Sequence, residues 1–225
     1  MAVKFQRVQP LFKGKFEQLV QKKVAVVGLG GVGGICVEAL ARSGMSNLVI
    51  IDYDRYELSN INRQVGANTL TINQLKAEVM ADKLLEINPS LQLEVHRIYL
   101  EEPYLEQYLG SCDAIVDAID SMGAKMELIR YGLSTNKVFL SSMGMANRLD
   151  PTQLEVTNIE KTYNDPFAKK IRLYCKQQGL KNLKVVSSKE LPTKNDKMLT
   201  SFMPVTASAG LLLASQIMKD LLEKL

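Results

Sequence analysis

The apolar run Val24-Ala25-Val26-Val27 leads directly into Gly28-Leu29-Gly30-Gly31-Val32-Gly33, and a second apolar run, 48–51, ends in Asp52-Tyr53-Asp54. A strand, a glycine turn, a helix and an acid closing the next strand are the parts that hold the phosphate and ribose of a nucleotide. Gly28 permits the tight turn, Gly30 and Gly31 let backbone N–H groups approach an anion, and Gly33 lets the helix pack on the strand. At the strand end Asp52 is placed to take ribose hydroxyls. Asp54 points the same way, as a second ligand or as a cap for the following loop. A glycine turn needed only for close packing is the alternative reading.

Further on, Ser59-Asn60-Ile61-Asn62-Arg63-Gln64 gathers amides and a guanidinium in one short loop. Such groups converging on phosphates can bind a triphosphate and stabilise charge moving onto it. Lys76, near the start of the next helix, is placed to reach a second phosphate oxygen, although Arg63 and Lys76 also read as an ordinary solvated face. Asp117 and Asp120 follow the buried run Ala114-Ile115-Val116. A carboxylate there can hold Mg²⁺ on a triphosphate, while Asp120 or Ser121 equally reads as the cap of the helix at 122. The sole histidine, His96, lies in a strand pattern and reads as structural, and Cys112 reads as core.

These residues need a scaffold that brings strand ends together. The pattern predicts strands at 24–28, 48–53, 91–98, 114–116, 138–141, 153–157 and 183–186. Helices are expected at 11–21, 31–43, 73–87 with Asn73 as cap, 103–109, 122–135, 165–178 and 205–225. Strands alternating with helices give an α/β fold with a doubly wound, mostly parallel, Rossmann-like sheet. The polar loop 54–72 is long enough to suggest function. After Gly144 the character changes. Residues 1–144 read as a nucleotide-binding part, and 145–225 as a C-terminal α/β extension with a mobile loop at 187–200 and a closing helix.

The 225 residues, 46% hydrophobic and 23% charged, suit one large α/β domain or a domain with an appendage. No apolar run approaches the roughly 20 residues of a membrane span, and the N-terminus lacks the apolar core of a signal peptide, so a cytoplasmic protein is expected. Cys36, Cys112 and Cys175 form no CxxC pair, which argues against a disulfide framework or a four-cysteine zinc site. The net charge of +4 is compatible with nucleic acid without demanding it. Lys169, Lys170, Arg172, Lys176, Lys181 and Lys184 gather in the second half, as a phosphate-binding tract or a solvated face.

Taken together, Gly28 to Gly33, Asp52-Tyr53-Asp54, the 59–64 loop, Lys76-Ala77-Glu78 and Asp117-Ala118-Ile119-Asp120-Ser121 resemble the ubiquitin-activating-type adenylating superfamily. The resemblance implies a single adenylating domain over 1–225 that uses ATP with Mg²⁺. A carboxylate attacks the α-phosphate and pyrophosphate leaves. It assigns ribose to Asp52, the triphosphate to Asn60, Arg63 and Lys76, and Mg²⁺ to Asp120. It also implies a homodimer in which Arg7 reaches the neighbouring subunit's nucleotide. The second half, through Asp150-Pro151-Thr152-Gln153, Asp165-Pro166, Leu183-Lys184-Val185-Val186-Ser187 and Ser201-Phe202-Met203-Pro204, looks most like the tRNA-modifying branch of that superfamily. Members of that branch adenylate the carboxylate of a threonylcarbamoyl group on adenosine 37 of tRNA, and its own carbamoyl nitrogen then closes the ring. No enzyme nucleophile is needed, in line with the lack of an evident catalytic cysteine.

Three competitors share parts of this pattern. An activator of a sulfur-carrier or ubiquitin-like protein would need a groove for a Gly-Gly tail; the tRNA-modifying reading itself takes tRNA as substrate and a sulfur-pathway protein as a partner. An NAD-dependent dehydrogenase would use the glycine turn but not Asn60, Arg63 and Lys76 together. A nucleotide-binding scaffold without turnover would have no reason to keep the whole polar set.

Overall fold

The computed structural model describes residues 3–193 and 198–225. One seven-stranded sheet forms its centre, built from β1 (Lys23–Val27), β2 (Asn47–Ile51), β3 (Gln92–His96), β4 (Ala114–Asp117), β5 (Val138–Ser142), β6 (Leu154–Asn158) and β7 (Lys184–Ser188). Their order is β3-β2-β1-β4-β5-β7-β6; every neighbouring pair is parallel except β6 with β7. The doubly wound α/β architecture is as expected, and the chain's last two strands complete the same sheet.

The apolar strand runs are explained by cover on both faces. Val24 and Val26 of β1, Leu48 and Ile50 of β2 and Val116 of β4 pack in one core with helices α2 (Gly33–Arg42), α3 (Lys76–Ile87) and α7 (Met203–Glu223). The alternate residues Ala25, Val27, Val49, Ile51 and Ile115 join a second core with α4 (Leu105–Leu109), α5 (Met122–Ser134) and α6 (Pro166–Gln177). The period of two thus sends neighbouring side chains to opposite layers.

Several local expectations shift. The helix expected at 11–21 is divided: Lys13 and Gly14 take left-handed φ values of 48° and 84°, so only Phe16–Val20 forms an α-helix, α1. Asn73 does not cap α3. It adopts φ 68°, and the helix starts three residues later after an extended Leu75. The helix expected to open at Asp165-Pro166 does so as α6, and the structure adds that Asp165 caps it, its Oδ1 accepting from Phe167 N at 2.8 Å and Ala168 N at 3.1 Å. The polar stretch 187–200 is shorter than a loop of that length, because Ser187 and Ser188 are buried in β7. The part of that expectation on 194–197 lies outside the described residues.

Candidate nucleotide-binding site

Strand order reverses between β1 and β4, one leading outward to β2 and the other to β5. An open α/β sheet leaves a crevice at the carboxyl ends of its strands at such a point. The glycine turn lies there, and two of its glycines are sterically required. Gly28 has φ 88°, and a Cβ on it would stand 2.7 Å from the Ala118 carbonyl oxygen; a Cβ on Gly33 would meet the Gly28 carbonyl oxygen at 1.8 Å. Gly30 differs, since only Nε2 of Gln64, at 3.9 Å, approaches the space its Cβ would fill. Gln64 itself is buried, and its Oε1 has no hydrogen-bond partner among the described residues. An open cradle beside an orphaned buried amide fits a polar ligand.

Asp52 closes β2 against this turn. Its Oδ2 accepts from Leu29 N at 2.6 Å and its Oδ1 from Asp54 N at 2.8 Å. Each oxygen keeps a second lone pair for a ligand hydroxyl. Burial pushes the Asp52 carboxyl above the ordinary carboxylate range, against the pull of Lys76 and the two N–H donors. Asp54 turns instead to Lys76, whose Nζ donates to Oδ2 at 2.9 Å, while Lys76 N donates to the Asp54 carbonyl at 2.9 Å. The ammonium of Lys76 is buried at the first turn of α3, held in position by Asp54.

The 59–64 loop folds back on the glycine turn. Asn60 is buried, and its Oδ1 accepts from Glu57 N at 3.1 Å, capping the short turn Leu58–Asn60. Its Nδ2 donates, among the described residues, only to Ser59 Oγ, at 3.3 Å. The stem of Arg63 lies on Gly31, where a Cβ would stand 3.3 Å from Arg63 Cγ. Nη1 of Arg63 donates to Ser59 O at 2.8 Å and Asn62 Oδ1 at 2.9 Å. Asn62 Nδ2 donates to Ser201 O at 3.0 Å, so its amide is engaged at both ends.

At the end of β4 the two acids of the motif part company. Asp117 is fully buried, bound by Lys125 Nζ at 2.7 Å and Ser141 Oγ at 2.6 Å. Asp120 is exposed, and its carboxylate makes no hydrogen bond among the described residues. Ser121 occupies the N-cap position of α5, but its side chain accepts no helix N–H; its Oγ lies 3.1 Å from Tyr99 OH. Tyr99 packs edge-on against Tyr53 at 5.1 Å, and the Tyr53 hydroxyl is pushed up chiefly by Asp54, with Asp120 and Asp52 contributing. Asp52, Asp54 and Asp120 therefore share one electrostatic neighbourhood.

Arg7 does not join this group within the chain. Lys4 bonds Asn88, just past the C-terminal end of α3, and Phe5 packs on Phe16. The 12 residues of α3 span roughly 18 Å, so the N-terminal turn sits at the opposite end of that helix from Lys76. The cysteines are equally remote in chemistry. All three are buried, burial pushes the Cys36 thiol far up, and Cys112 and Cys175 rise to about 11, so each stays a protonated thiol at neutral pH.

Gln64 and Lys125 escaped the sequence reading as site-forming residues. Gln64 carried a signal in its place within the polar loop, whereas the partner of Lys125 is decided by helix packing on the sheet. Among the described residues no helix is long and apolar enough to cross a membrane.

Known proteins resemble this chain in sequence and fold. A tRNA threonylcarbamoyladenosine dehydratase of Bacillus subtilis is 34% identical over 231 residues, taking in 94% of this chain and 91% of that protein. The Escherichia coli tRNA N6-threonylcarbamoyladenosine dehydratase in complex with ATP is 31% identical with a TM-score of 0.93, covering 98% of this chain and 94% of that one. The same E. coli enzyme in complex with AMP gives a TM-score of 0.94 with the same coverage. The profile of the ThiF family matches residues 4–224, and the chain belongs to the ThiF family.

Proposed function

We propose that this chain is an ATP-dependent enzyme that adenylates the carboxylate of N6-threonylcarbamoyladenosine 37 in tRNA and closes it, with net loss of water, to the cyclic hydantoin. The observation that carries this reading is the convergence of the glycine turn, Asp52, the Arg63 loop, Lys76 and Asp120 on one crevice, in a chain that aligns end to end with dehydratases of that name. Neighbours solved with ATP and with AMP support ATP as the co-substrate and AMP as the group that leaves.

In this reading Asp52 holds ribose, and the N–H groups of the turn at Gly30 and Gly31, with Asn60, cradle the phosphates. Arg63 and Lys76 neutralise charge as the substrate carboxylate oxygen bonds to the α-phosphorus and pyrophosphate departs. The carbamoyl nitrogen then attacks the activated carbonyl and loses its proton, and AMP leaves with the former carboxylate oxygen. The protein's work is positioning and charge neutralisation, because both nucleophiles belong to the substrate. Mg²⁺ binds through one or two carboxylates together with phosphate oxygens; exposed Asp120, with Ser121 beside it, fits that role, and the ion would neutralise phosphate charge.

The tRNA backbone meets Lys169, Lys170, Lys176 and Lys181, which are exposed. Arg172 and Lys184 of that tract are engaged within the chain, by Thr162 O at 2.7 Å and Asp220 Oδ2 at 2.6 Å. The proposal extends to a single adenylating domain acting as a cytoplasmic homodimer, with Arg7 and Asn62 completing the site from the partner and the same chain respectively, and with a sulfur-pathway protein as accessory partner. Incubation with ATP, Mg²⁺ and tRNA bearing the threonylcarbamoyl group, followed by mass spectrometry of the nucleoside, tests it. Loss of one water is expected. An unchanged nucleoside, with adenylation of a carrier protein's Gly-Gly terminus instead, would overturn it.

A further inference from the structure

One run of hydrogen bonds leads from the loop after β5 to the guanidinium of Arg63. Asn147, at φ 61°, accepts at Oδ1 from both N and Oγ1 of Thr200, each at 2.8 Å, and its own N donates to Thr200 O at 3.0 Å. The next carbonyl, Ser201 O, accepts from Asn62 Nδ2 at 3.0 Å. The other end of that amide, Oδ1, accepts from Arg63 Nη1 at 2.9 Å. These links span sequence separations of 53 and 139 residues, so they belong to the tertiary fold and not to any helix or strand. The segment also abuts the glycine turn through α7: a Cβ on Gly31 would stand 3.2 Å from Thr206 Oγ1.

An amide is the short side chain that offers a donor and an acceptor on one planar group. An aspartate at 62 would keep the bond to Arg63 and lose the one to Ser201, and an alanine would lose both. We propose that Asn62 is a positioning residue that couples residues 198–203 to Arg63, so that the guanidinium takes its aim from the seating of that segment. This deepens the adenylation reading and rests on it for its kinetic test, though not for its structural one.

The structural test uses the free protein and Asn147→Gly, a change that suits the left-handed φ and touches neither Asn62 nor Arg63. Amide hydrogen exchange should quicken in peptides covering 198–203 and also in those covering 59–67. Quickening confined to 198–203 would overturn the coupling. In the kinetic test, Asn62→Ala should lower kcat for ATP–pyrophosphate exchange about tenfold with KM for ATP unchanged. Asn147→Gly should lower kcat as well, and the double variant should be no slower than Asn62→Ala alone. Additive losses, or a rise in KM alone, would overturn it. A wild-type chain with no exchange would instead sink the adenylation reading, and hydrogen exchange would still decide the coupling.

Discussion

Lys125 Nζ lies 2.7 Å from Oδ2 of Asp117, and neither side chain has any exposed surface. Ser141 Oγ joins them, 2.6 Å from Oδ2 and 3.1 Å from Nζ, while Oδ1 of Asp117 accepts from Ile119 N at 3.1 Å. This cluster fixes the turn between β4 and α5. The same turn presents the Ala118 carbonyl to Gly28 and carries Asp120 to the crevice. Asp117, which the sequence offered as a second magnesium carboxylate, is thus engaged in building the site's floor.

Breaking that pair from one side should be far more damaging than replacing both partners. Lys125→Met strands a buried carboxylate, at a cost of about 3–5 kcal/mol. Adding Asp117→Asn removes the stranded charge and should restore more than half of the lost stability. Urea unfolding of the two variants against wild type measures this. A Lys125→Met chain as stable as wild type would show that the pair does not hold the turn.

How far the sequence was legible follows the range of the forces involved. The positions of the glycine turn and of Asp52 were readable because each sits where a buried strand ends, and strand ends are marked by local pattern. Lys125 was not, because its partner is set by how α5 lies on the sheet. Asn73 misled for the same reason in reverse: its local capping preference gave way to a left-handed turn in which its N donates to Tyr56 O at 2.8 Å. The bonds of Asn147 and Asn62 join segments far apart in the chain, and no spacing rule reports such contacts.

Arg63→Ala should lower the rate of ATP–pyrophosphate exchange by about two orders of magnitude or more. The fold should survive. Arg63 is half-buried, and among the described residues its guanidinium bonds only Ser59 O and Asn62 Oδ1, both in its own loop, and surface contacts of that kind contribute about 1 kcal/mol or less. Arg63→Lys should recover part of the rate, since it keeps the charge and loses the planar fork. Unchanged exchange in Arg63→Ala, with an unchanged thermal midpoint, would remove the residue from the mechanism.

The contact between Asp54 and Lys76 separates two roles for Asp54. If it only holds the ammonium, Asp54→Ala should slow exchange about tenfold through misplacement, and Lys76→Met about a hundredfold. The double variant should then be no slower than Lys76→Met, because the two residues act as one unit. Multiplying losses would mean that Asp54 contacts the nucleotide itself, as the alternative ribose ligand. Exchange rates of the three variants at saturating ATP decide between them.

His96 should make stability depend on pH just below neutrality. Its ring packs 4.5 Å from Tyr108, its Nε2 has no hydrogen-bond partner among the described residues, and the Glu94 carboxylate is 3.9 Å away. Burial lowers its pKa, Lys23 adds to the effect, and Glu94 opposes it. The folded chain therefore prefers the neutral ring, and the unfolded chain takes up a proton first as pH falls through about 6.5. The resulting stability is fully present above that pH and is lost as pH drops toward the lower folded-state value. The chain has one histidine, so the difference between wild type and His96→Gln isolates the effect. Unfolding free energies of the two proteins should run parallel from pH 7.5 to 8.5, roughly one to two units above the ordinary histidine value. Between about pH 6.5 and 5.5 the wild type should fall more steeply. Parallel curves through that lower window would show that the imidazole titrates alike in both states, and that its burial in β3 carries no electrostatic penalty.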